Sequence, residues 1–299
     1  MKRRFFTLDV FTKARLAGNP LAILVDCEGL DAAAMQNIAR EFNLSETLFL
    51  LEPHDPVNTA RARIFTPAQE LPFAGHPTIG TAVLVAALRA PEMAGRDLQI
   101  VIEEQIGPVR CTVRLARHGA SYASFDLPRL PERIGEAGSA EALAAALSLH
   151  VGEVGFDAHV PGVWSAGTPF CFVPVRSLDA IGRARPKAAL AEAIGAARGA
   201  YLYTRETIHA ENAVHARMFG AGVGVPEDPA TGSAAAAFAG VAVAYERPED
   251  GAHVITIEQG FEMGRPSLIN LGLDVGGGAL LAATIGGHAV RVCEGTMEA

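Results

Sequence analysis

The feature that most constrains the fold is an internal repeat spaced by about half of the 299-residue chain. Three blocks recur in the same order at offsets of 149, 154 and 152 residues. The pairs are Ala17-Gly18-Asn19-Pro20 with Ala166-Gly167-Thr168-Pro169, Ala62-Arg63-Ile64-Phe65 with Ala216-Arg217-Met218-Phe219, and Pro77-x-x-Gly80-Thr81-Ala82 with Pro229-x-x-Gly232-Ser233-Ala234. We therefore predict two copies of one unit, residues 1–130 and 131–299, with a C-terminal strand that can pair back onto the first copy.

Both copies are rich in short strand patterns and have few helices. Helical patterns cover Asp31–Phe42, Pro77–Ala90, Ala140–Leu149, Pro186–Ala197 and Pro229–Glu246, with Asp31 as an N-cap. Because these helices do not alternate strictly with strands, the pattern favours an α+β fold over a doubly wound parallel sheet.

Composition excludes several classes of function. Hydrophobic residues make up 49% of the chain, which is sufficient for a large core, and the formal net charge is −8. This acidic balance disfavours a nucleic-acid binder, which needs a basic face. The four cysteines have no metal-site spacing, and no apolar run is long enough to span a membrane. We expect a cytoplasmic protein with no metal, nucleic-acid or membrane partner.

Each copy has a loop that leads into a helix of small residues. Phe73-Ala74-Gly75-His76 precedes the first helix, and Val225-Pro226-Glu227-Asp228 precedes the second. Helix N-termini carry unpaired N–H groups and a partial positive charge, which favour carboxylate or phosphate. Simple capping and close packing of the helix would explain the same residues without a ligand.

The copies differ in the residues that carry chemistry. Aligning Pro77 with Pro229 places His76 opposite Asp228, and the same offset places Glu46 near Arg198. Glu46 begins an apolar strand, where folding does not require a carboxylate. A carboxyl group at the apolar edge of a cleft would have a raised pKa suited to acid–base chemistry. The alternative is a solvated charge at the end of a strand.

Five blocks together resemble the phenazine-biosynthesis isomerase-like family, from about residue 5 to about residue 270. They are Gly18-Asn19-Pro20-Leu21-Ala22, Asn43-Leu44-Ser45-Glu46-Thr47, the segment from Phe65-Thr66-Pro67 through Glu70 to Thr78, Glu227-Asp228-Pro229-Ala230-Thr231-Gly232-Ser233-Ala234, and Gln259-Gly260 with Met263-Gly264-Arg265-Pro266-Ser267. The resemblance implies the diaminopimelate epimerase fold: two pseudo-symmetric halves, each a barrel-like, mostly antiparallel sheet around a central helix, with the active site between them. Epimerases of that superfamily use two opposed cysteines, and the corresponding motifs here contain none.

The resemblance also implies a cofactor-independent isomerase, similar to one that acts on a dihydro-hydroxyanthranilate. Glu46 would be catalytic, taking a proton from one carbon of a small cyclic or unsaturated carboxylate and returning it to another. His76 and Asp228 would bind the amino and hydroxyl groups of the substrate. The amides of Gly75 and of Gly232–Ser233 would bind its carboxylate.

Other readings stay open at this point. The same chemistry would serve a racemase, an epimerase or a hydratase-type step, and a binding protein for small anions would need only the helix ends. A homodimer is the common expectation for a soluble enzyme. We predict Asn19 to be turn-forming, His209 and His215 to be exposed, and Arg63 and Arg217 to brace the two halves. Arg265 is either an anion contact or part of a strand turn.

Overall fold

The structure, a computed structural model, describes residues 1–220 and 225–299. Contacts between residues divide the chain into a first unit, residues 1–126 with 286–299, and a second unit, residues 127–285. No helix within these described ranges has the length and apolar character needed to cross a membrane.

The strands, in chain order, are β1 (Lys2–Val10), β2 (Asn19–Leu24), β3 (Glu46–Leu51), β4 (Ala60–Phe65), β5 (Glu70–Leu71), β6 (Asp97–Glu104), β7 (Gly107–Arg114), β8 (Ser121–Asp126), β9 (Glu132–Gly135), β10 (Gly162–Ser165), β11 (Pro169–Pro174), β12 (Gly199–Thr204), β13 (Val214–Gly220), β14 (Glu227–Asp228), β15 (Gly251–Gln259), β16 (Ser267–Gly276) and β17 (Ala279–Glu298). The α-helices are α1 (Ala32–Phe42), α2 (Gly75–Arg89), α3 (Ala140–Leu147), α4 (Leu178–Arg183), α5 (Leu190–Ile194) and α6 (Gly232–Glu246). Short 3₁₀ helices span Pro91–Met93, Val151–Glu153 and Phe261–Met263.

The first unit is a closed barrel around helix α2. Its eight strands pair in the order β1, β2, β3, β4, β6, β7, β8 and β17, and β17 returns to β1. The β2–β3 and β4–β6 pairs are parallel, whereas β1–β2, β3–β4, β6–β7, β7–β8 and β1–β17 are antiparallel. Helix α2 contacts six of these strands and is buried from Gly75 to Ala86, as expected of a helix that is apolar on all sides.

Close packing explains the small residues of this helix. A Cβ atom at Gly80 would lie 2.6 Å from a methyl group of Leu21 and 2.9 Å from one of Val10. Glycine therefore allows α2 to lie directly against β1 and β2.

The second unit repeats this pairing around helix α6. Strands β9 to β13, β15 and β16 pair with the same sequence of directions: β11–β12 and β13–β15 are parallel, and the other pairs are antiparallel. Helix α6 contacts β9, β10, β11 and β16, and its residues from Ala234 to Ala242 are buried. The predicted α+β fold, with a mostly antiparallel sheet around a central helix in each copy, is confirmed.

Helix boundaries differ from the predicted ones, most clearly in α2, α5 and α6. Helix α2 begins at Gly75, two residues before Pro77, and α6 begins at Gly232, three residues after Pro229. The helix predicted over Pro186–Ala197 is limited to α5. The side chain of Asp31 accepts a hydrogen bond from the amide of Ala34, which confirms the predicted N-cap of α1.

Strand register corrects the alignment of the two copies. Glu70 of β5 pairs with Phe65, the last residue of β4. Glu227 of β14 pairs in the same way with Phe219 of β13, the residue aligned with Phe65. Asp228 therefore corresponds to Leu71, not to His76. The segment between the paired residues Phe219 and Glu227 is three residues longer than the segment between Phe65 and Glu70, so the alignment of the two prolines was wrong. His76 corresponds to Ser233, because each is the second residue of its helix.

The same register identifies the counterpart of Glu46. Thr47 pairs with Phe65 of β4, and Ala200 pairs with the equivalent Phe219 of β13. Glu46 therefore corresponds to Gly199 and not to Arg198. A Cβ atom at Gly199 would lie 2.6 Å from the carbonyl oxygen of Phe219, so the second unit leaves no room for a side chain there.

Candidate functional site

Glu46 is the first residue of β3, directly after a tight turn that ends α1. Asn43 stops the helix in the left-handed conformation, with φ of 50°, and its amide donates to the carbonyl of Ala39. Two further residues then bring the chain into β3, where Glu46 pairs in parallel with Leu21. The side chain of Glu46 is 16% exposed, so its carboxylate lies at the edge of the buried region.

His76 lies in the first turn of α2 and is buried. The side-chain amide of Asn19 lies 3.2 Å from Nδ1 of His76, and an amide nitrogen can only donate, so Nδ1 is the acceptor. Burial lowers the pKa of His76 to about 3. The imidazole is therefore neutral and carries its proton on Nε2. Asn19, predicted to be turn-forming, is fully buried and uses its side chain to set this tautomer.

The proton on Nε2 faces Glu46. Nε2 of His76 lies 3.5 Å from Oε2 of Glu46, beyond the usual length of a hydrogen bond, and it has no hydrogen-bond partner within residues 1–220 and 225–299. A buried donor without a partner is uncommon in a folded protein, and it is available to a ligand. The first unit thus brings Glu46, His76 and Gly75 to one helix start.

The first turns of α2 and α6 are not capped by side chains. Ala74 and Thr231 occupy the N-cap positions, and neither side chain accepts from its helix. Gly75 and Gly232 are buried, and Ser233 is half-buried. In each unit, therefore, the predicted residues provide N–H groups and the positive end of the helix dipole.

Asp228 is held by a small buried network in the second unit. Its Oδ2 atom accepts from Oγ1 of Thr231 at 2.6 Å, and its carbonyl accepts from Nε2 of Gln259 at 2.8 Å. Gln259 also donates to Oγ1 of Thr231 at 3.0 Å and accepts from the amide of Thr231 at 3.1 Å. Gln259 therefore fixes the segment between Asp228 and the start of α6. In the sequence Gln259 stands out only as part of a motif, from which no role for it was predicted.

Tyr201 is a second residue that sequence analysis missed. It is in register with Met218 of β13, which in turn pairs with Asp228. The buried phenol oxygen has no hydrogen-bond partner in the described part of the chain. Burial, and to a lesser extent the charge of Asp228, raise the pKa of Tyr201, so the phenol is neutral.

The arginines of the repeat lie in ion pairs. Arg63 binds both carboxylate oxygens of Glu70 at 2.7 Å, and Arg217 binds those of Glu227 at 2.8 and 3.0 Å.

His215, predicted to be exposed, is fully buried; this prediction was wrong. Its ring lies 3.0 Å from Glu258 and 2.9 Å from Glu262. His209 is exposed as predicted.

Within the described ranges 1–220 and 225–299, no group of three or more histidine, cysteine or acidic side chains has an arrangement that could hold a metal ion. The chemistry of the described site residues is that of a carboxylate, a neutral imidazole and backbone donors.

Comparison with known proteins identifies the family. The family model described as phenazine biosynthesis-like protein matches residues 8–295. An uncharacterized isomerase of Mesorhizobium japonicum is 51% identical, over 99% of this chain and 98% of its own. The trans-2,3-dihydro-3-hydroxyanthranilate isomerase of Pseudomonas aeruginosa is 33% identical, over 98% of each chain. A Bacillus anthracis phenazine biosynthesis protein has a similar structure, with a TM-score of 0.87, 28% identity and full coverage of both chains. The chain therefore belongs to the phenazine biosynthesis-like family, and the prediction of an isomerase is confirmed.

Proposed function

We propose that this isomerase moves a proton between two carbons of a small cyclic or unsaturated carboxylate, with Glu46 as the group that takes and returns the proton. The relative in Pseudomonas aeruginosa is named for trans-2,3-dihydro-3-hydroxyanthranilate. We propose that compound, or one of the same chemical class, as the substrate.

One observation carries this proposal: Glu46 and a neutral, buried His76 face each other at 3.5 Å, while the counterpart of Glu46 is Gly199. Only one of the two copies provides a carboxylate at this position. A single base that removes a proton and gives it back suits an isomerase, in which departure and return occur on one side of the substrate.

The binding roles follow from the local donors and acceptors. The amides of Gly75, Gly232 and Ser233 are assigned to the substrate carboxylate and to negative charge that develops during proton transfer. Such donors allow a protein of net charge −8 to bind an anion. His76 is assigned to donate from Nε2, and Asp228 to accept from an amino or hydroxyl group of the substrate.

A racemase with two opposed thiols is a weaker candidate. The second residues of α2 and α6 are His76 and Ser233, and Cys111 and Cys171 are buried within strands β7 and β11. Burial raises the pKa of both thiols, which keeps them protonated and poorly nucleophilic.

Deuterium uptake into carbon tests the proposal. The protein is incubated in heavy water with trans-2,3-dihydro-3-hydroxyanthranilate and with related cyclic and unsaturated amino and hydroxy acids, and products are analysed by mass spectrometry. We expect isomerised product, partly labelled because a single base returns some of the original proton. Glu46→Gln lowers turnover by about 1000-fold while ligand binding persists, since the amide keeps the shape but accepts no proton.

Glu52→Gln is the matched control, because Glu52 is an exposed glutamate just beyond the other end of β3. It retains wild-type turnover. Equal activity of Glu46→Gln and wild type would remove Glu46 from the mechanism. Inversion of a stereocentre without isomerisation would favour a racemase. Ligand-induced stabilisation with no labelled product from any compound would favour a small-anion binding protein.

We also propose a cytoplasmic homodimer. The four cysteines, three buried and one exposed, are free thiols, which suits a reducing compartment. Light scattering coupled to gel filtration tests the assembly, and a monomeric mass at all concentrations contradicts the dimer.

A further inference from the structure

Glu104 is a buried carboxyl group that the proposed mechanism does not use. It ends β6, and only 7% of the residue is exposed. Its Oε1 atom lies 2.6 Å from Oγ1 of Thr78, in the first turn of α2. Its Oε2 atom is buried and has no hydrogen-bond partner within the described residues. Burying an ionised carboxylate with one oxygen unpaired costs folding free energy, so the protonation state of Glu104 needs an explanation.

The number of protons available at the hydroxyl group of Thr78 provides that explanation. Oγ1 of Thr78 lies 2.8 Å from the carbonyl oxygen of Ala74 as well as 2.6 Å from Glu104. A hydroxyl group carries a single proton and can donate to only one of these oxygens. The carbonyl has no proton to offer. Both short contacts are satisfied only if Glu104 is a carboxylic acid that donates to Thr78, which then donates to Ala74.

The second unit supports this independently. The pairing of β4 with β6, and of β13 with β15, makes Gln259 the counterpart of Glu104. Gln259 donates to Thr231, the N-cap residue of α6, whereas Glu104 reaches Ala74, the N-cap residue of α2, through Thr78. A glutamine amide is the neutral isostere of a protonated glutamate. Both units therefore place a neutral donor beneath the start of the central helix.

We propose that Glu104 is a positioning residue, held as a carboxylic acid, which sets the start of α2 through Thr78, and that loss of its proton slows the isomerase at alkaline pH. The effect on turnover rests on the proposed function, because Gly75 and His76 belong to the same helix start. When Glu104 ionises, Thr78 must donate to the carboxylate, and the carbonyl of Ala74 loses its hydroxyl partner.

The surroundings of Glu104 agree with this assignment. Burial raises its pKa to about 8. On α2, His76 is neutral, and on β7 burial raises the pKa of Cys111, so that thiol is neutral too. On β4, Arg61 and Arg63 line the same 660 Å³ cavity as Glu104, and the guanidinium group of Arg63 is paired with Glu70. The other titratable groups that line this cavity are His54, Asp55 and Glu103. Asp126, at the end of β8, is a further acidic group near Cys111.

Infrared spectroscopy tests the protonation state without requiring turnover. The spectrum of the ligand-free wild type at neutral pH, minus that of Glu104→Gln, is expected to contain the C=O stretch of a protonated carboxyl group. We expect this band to disappear as the pH rises through about 8. Absence of the band at neutral pH would overturn the proposal. Because no substrate is present, an inactive protein would count against the proposed function alone.

The pH profile of kcat tests the positioning role. At neutral pH we expect Glu104→Gln to retain kcat within about threefold, since the amide also donates to Thr78, and Glu104→Ala to lose about 100-fold with less change in KM. The wild type loses about tenfold per pH unit above the pKa of Glu104, and Glu104→Gln does not.

Thr78→Val and Thr78→Ser separate positioning from general stability. The serine variant keeps the hydroxyl link and the alkaline loss of activity. The valine variant lacks the link, and its loss of activity is about as large as that of Glu104→Ala. An unchanged alkaline limb in Glu104→Gln, or full activity in Thr78→Val, would refute the positioning role.

Discussion

At the scale of single residues, the reactivity proposed for Glu46 depends on the tautomer of its neighbour His76. Asn19 donates to Nδ1 and so leaves the proton on Nε2, facing the carboxylate. Asn19→Asp replaces this donor with an acceptor that prefers a protonated Nδ1. We expect kcat to fall by about 100-fold, because the proton on Nε2 is no longer fixed in place.

Nuclear magnetic resonance of the imidazole nitrogens checks this prediction directly. In the wild type, His76 is expected to show the Nε2–H tautomer and no titration near neutral pH, whereas Asn19→Asp raises its pKa toward the ordinary value of 6.5. Asn37→Asp, on the exposed face of α1, adds the same charge without touching His76 and serves as the control. An unchanged tautomer in Asn19→Asp would contradict the assignment.

Some residues of the candidate site could be singled out from the sequence and others could not. Glu46 stands out because a carboxylate at the start of an apolar strand has no folding role. The parts played by Asn19 and Gln259 depend on partners 57 and 31 residues away, which no local pattern reveals. The burial of His215 was missed for the same reason, since its charge is balanced by Glu258 and Glu262 from a later segment.

At the scale of elements, removing the ion pair Arg217–Glu227 is expected to lower the free energy of unfolding more than removing its repeat counterpart, Arg63–Glu70. Arg217 is almost fully buried, and besides Glu227 it donates to the carbonyls of Ile181, Gly182 and Ala184. Arg217→Met takes the buried partner from the Glu227 carboxylate and removes one of the donors to each of these carbonyls, so we expect a loss of about 3 kcal/mol in the free energy of unfolding. Urea denaturation followed by circular dichroism measures it.

The first unit provides the matched comparison. The side chains of Arg63 and Glu70 are 25% and 22% exposed, so solvent screens this pair more strongly. Arg63→Met is expected to cost only about 1 kcal/mol. Equal losses in the two variants would show that the carbonyl contacts of Arg217 contribute nothing.

Element boundaries explain why the repeat was found but aligned incorrectly. The blocks around Arg63 and Arg217 match because both lie on equivalent strands with one register. The segment from the paired phenylalanine to the paired glutamate is three residues longer in the second unit, and the sequence alignment missed this difference because it placed Pro77 opposite Pro229. The pairing of β5 with β4 and of β14 with β13 shows that Asp228 corresponds to Leu71, and the starts of α2 and α6 show that His76 corresponds to Ser233.

At the scale of the whole molecule, the fold could be predicted because duplication repeats the same evidence twice. Within each copy, the local strand and helix patterns are compatible with several α+β arrangements. The resemblance to a known family supplied the barrel around a helix, since sheet closure depends on pairings such as β1 with β17, which join opposite ends of the chain. Close approaches such as that at Gly80 become meaningful only once the neighbouring strands are known.

The pH dependence of stability is a whole-molecule property to which two buried groups of the first unit contribute with opposite signs. The pKa of Glu104 is raised from 4.5 to about 8, so between these values the folded state holds a proton that the unfolded state has lost. Its contribution to stability therefore falls as pH rises through this range. The pKa of His76 is lowered from 6.5 to about 3, so its contribution falls as pH drops below 6.5.

These signs predict how two variants diverge from the wild type. Relative to the wild type, Glu104→Gln gains up to about 1.4 kcal/mol of unfolding free energy per pH unit as pH rises from 4.5 toward about 8. His76→Gln gains similarly as pH drops below 6.5. Urea denaturation of the three proteins at several pH values measures both differences, and contributions from other groups cancel in the comparison. A constant offset between Glu104→Gln and the wild type would mean that Glu104 ionises normally, whereas a difference that widens with pH establishes a carboxyl group kept neutral by the fold.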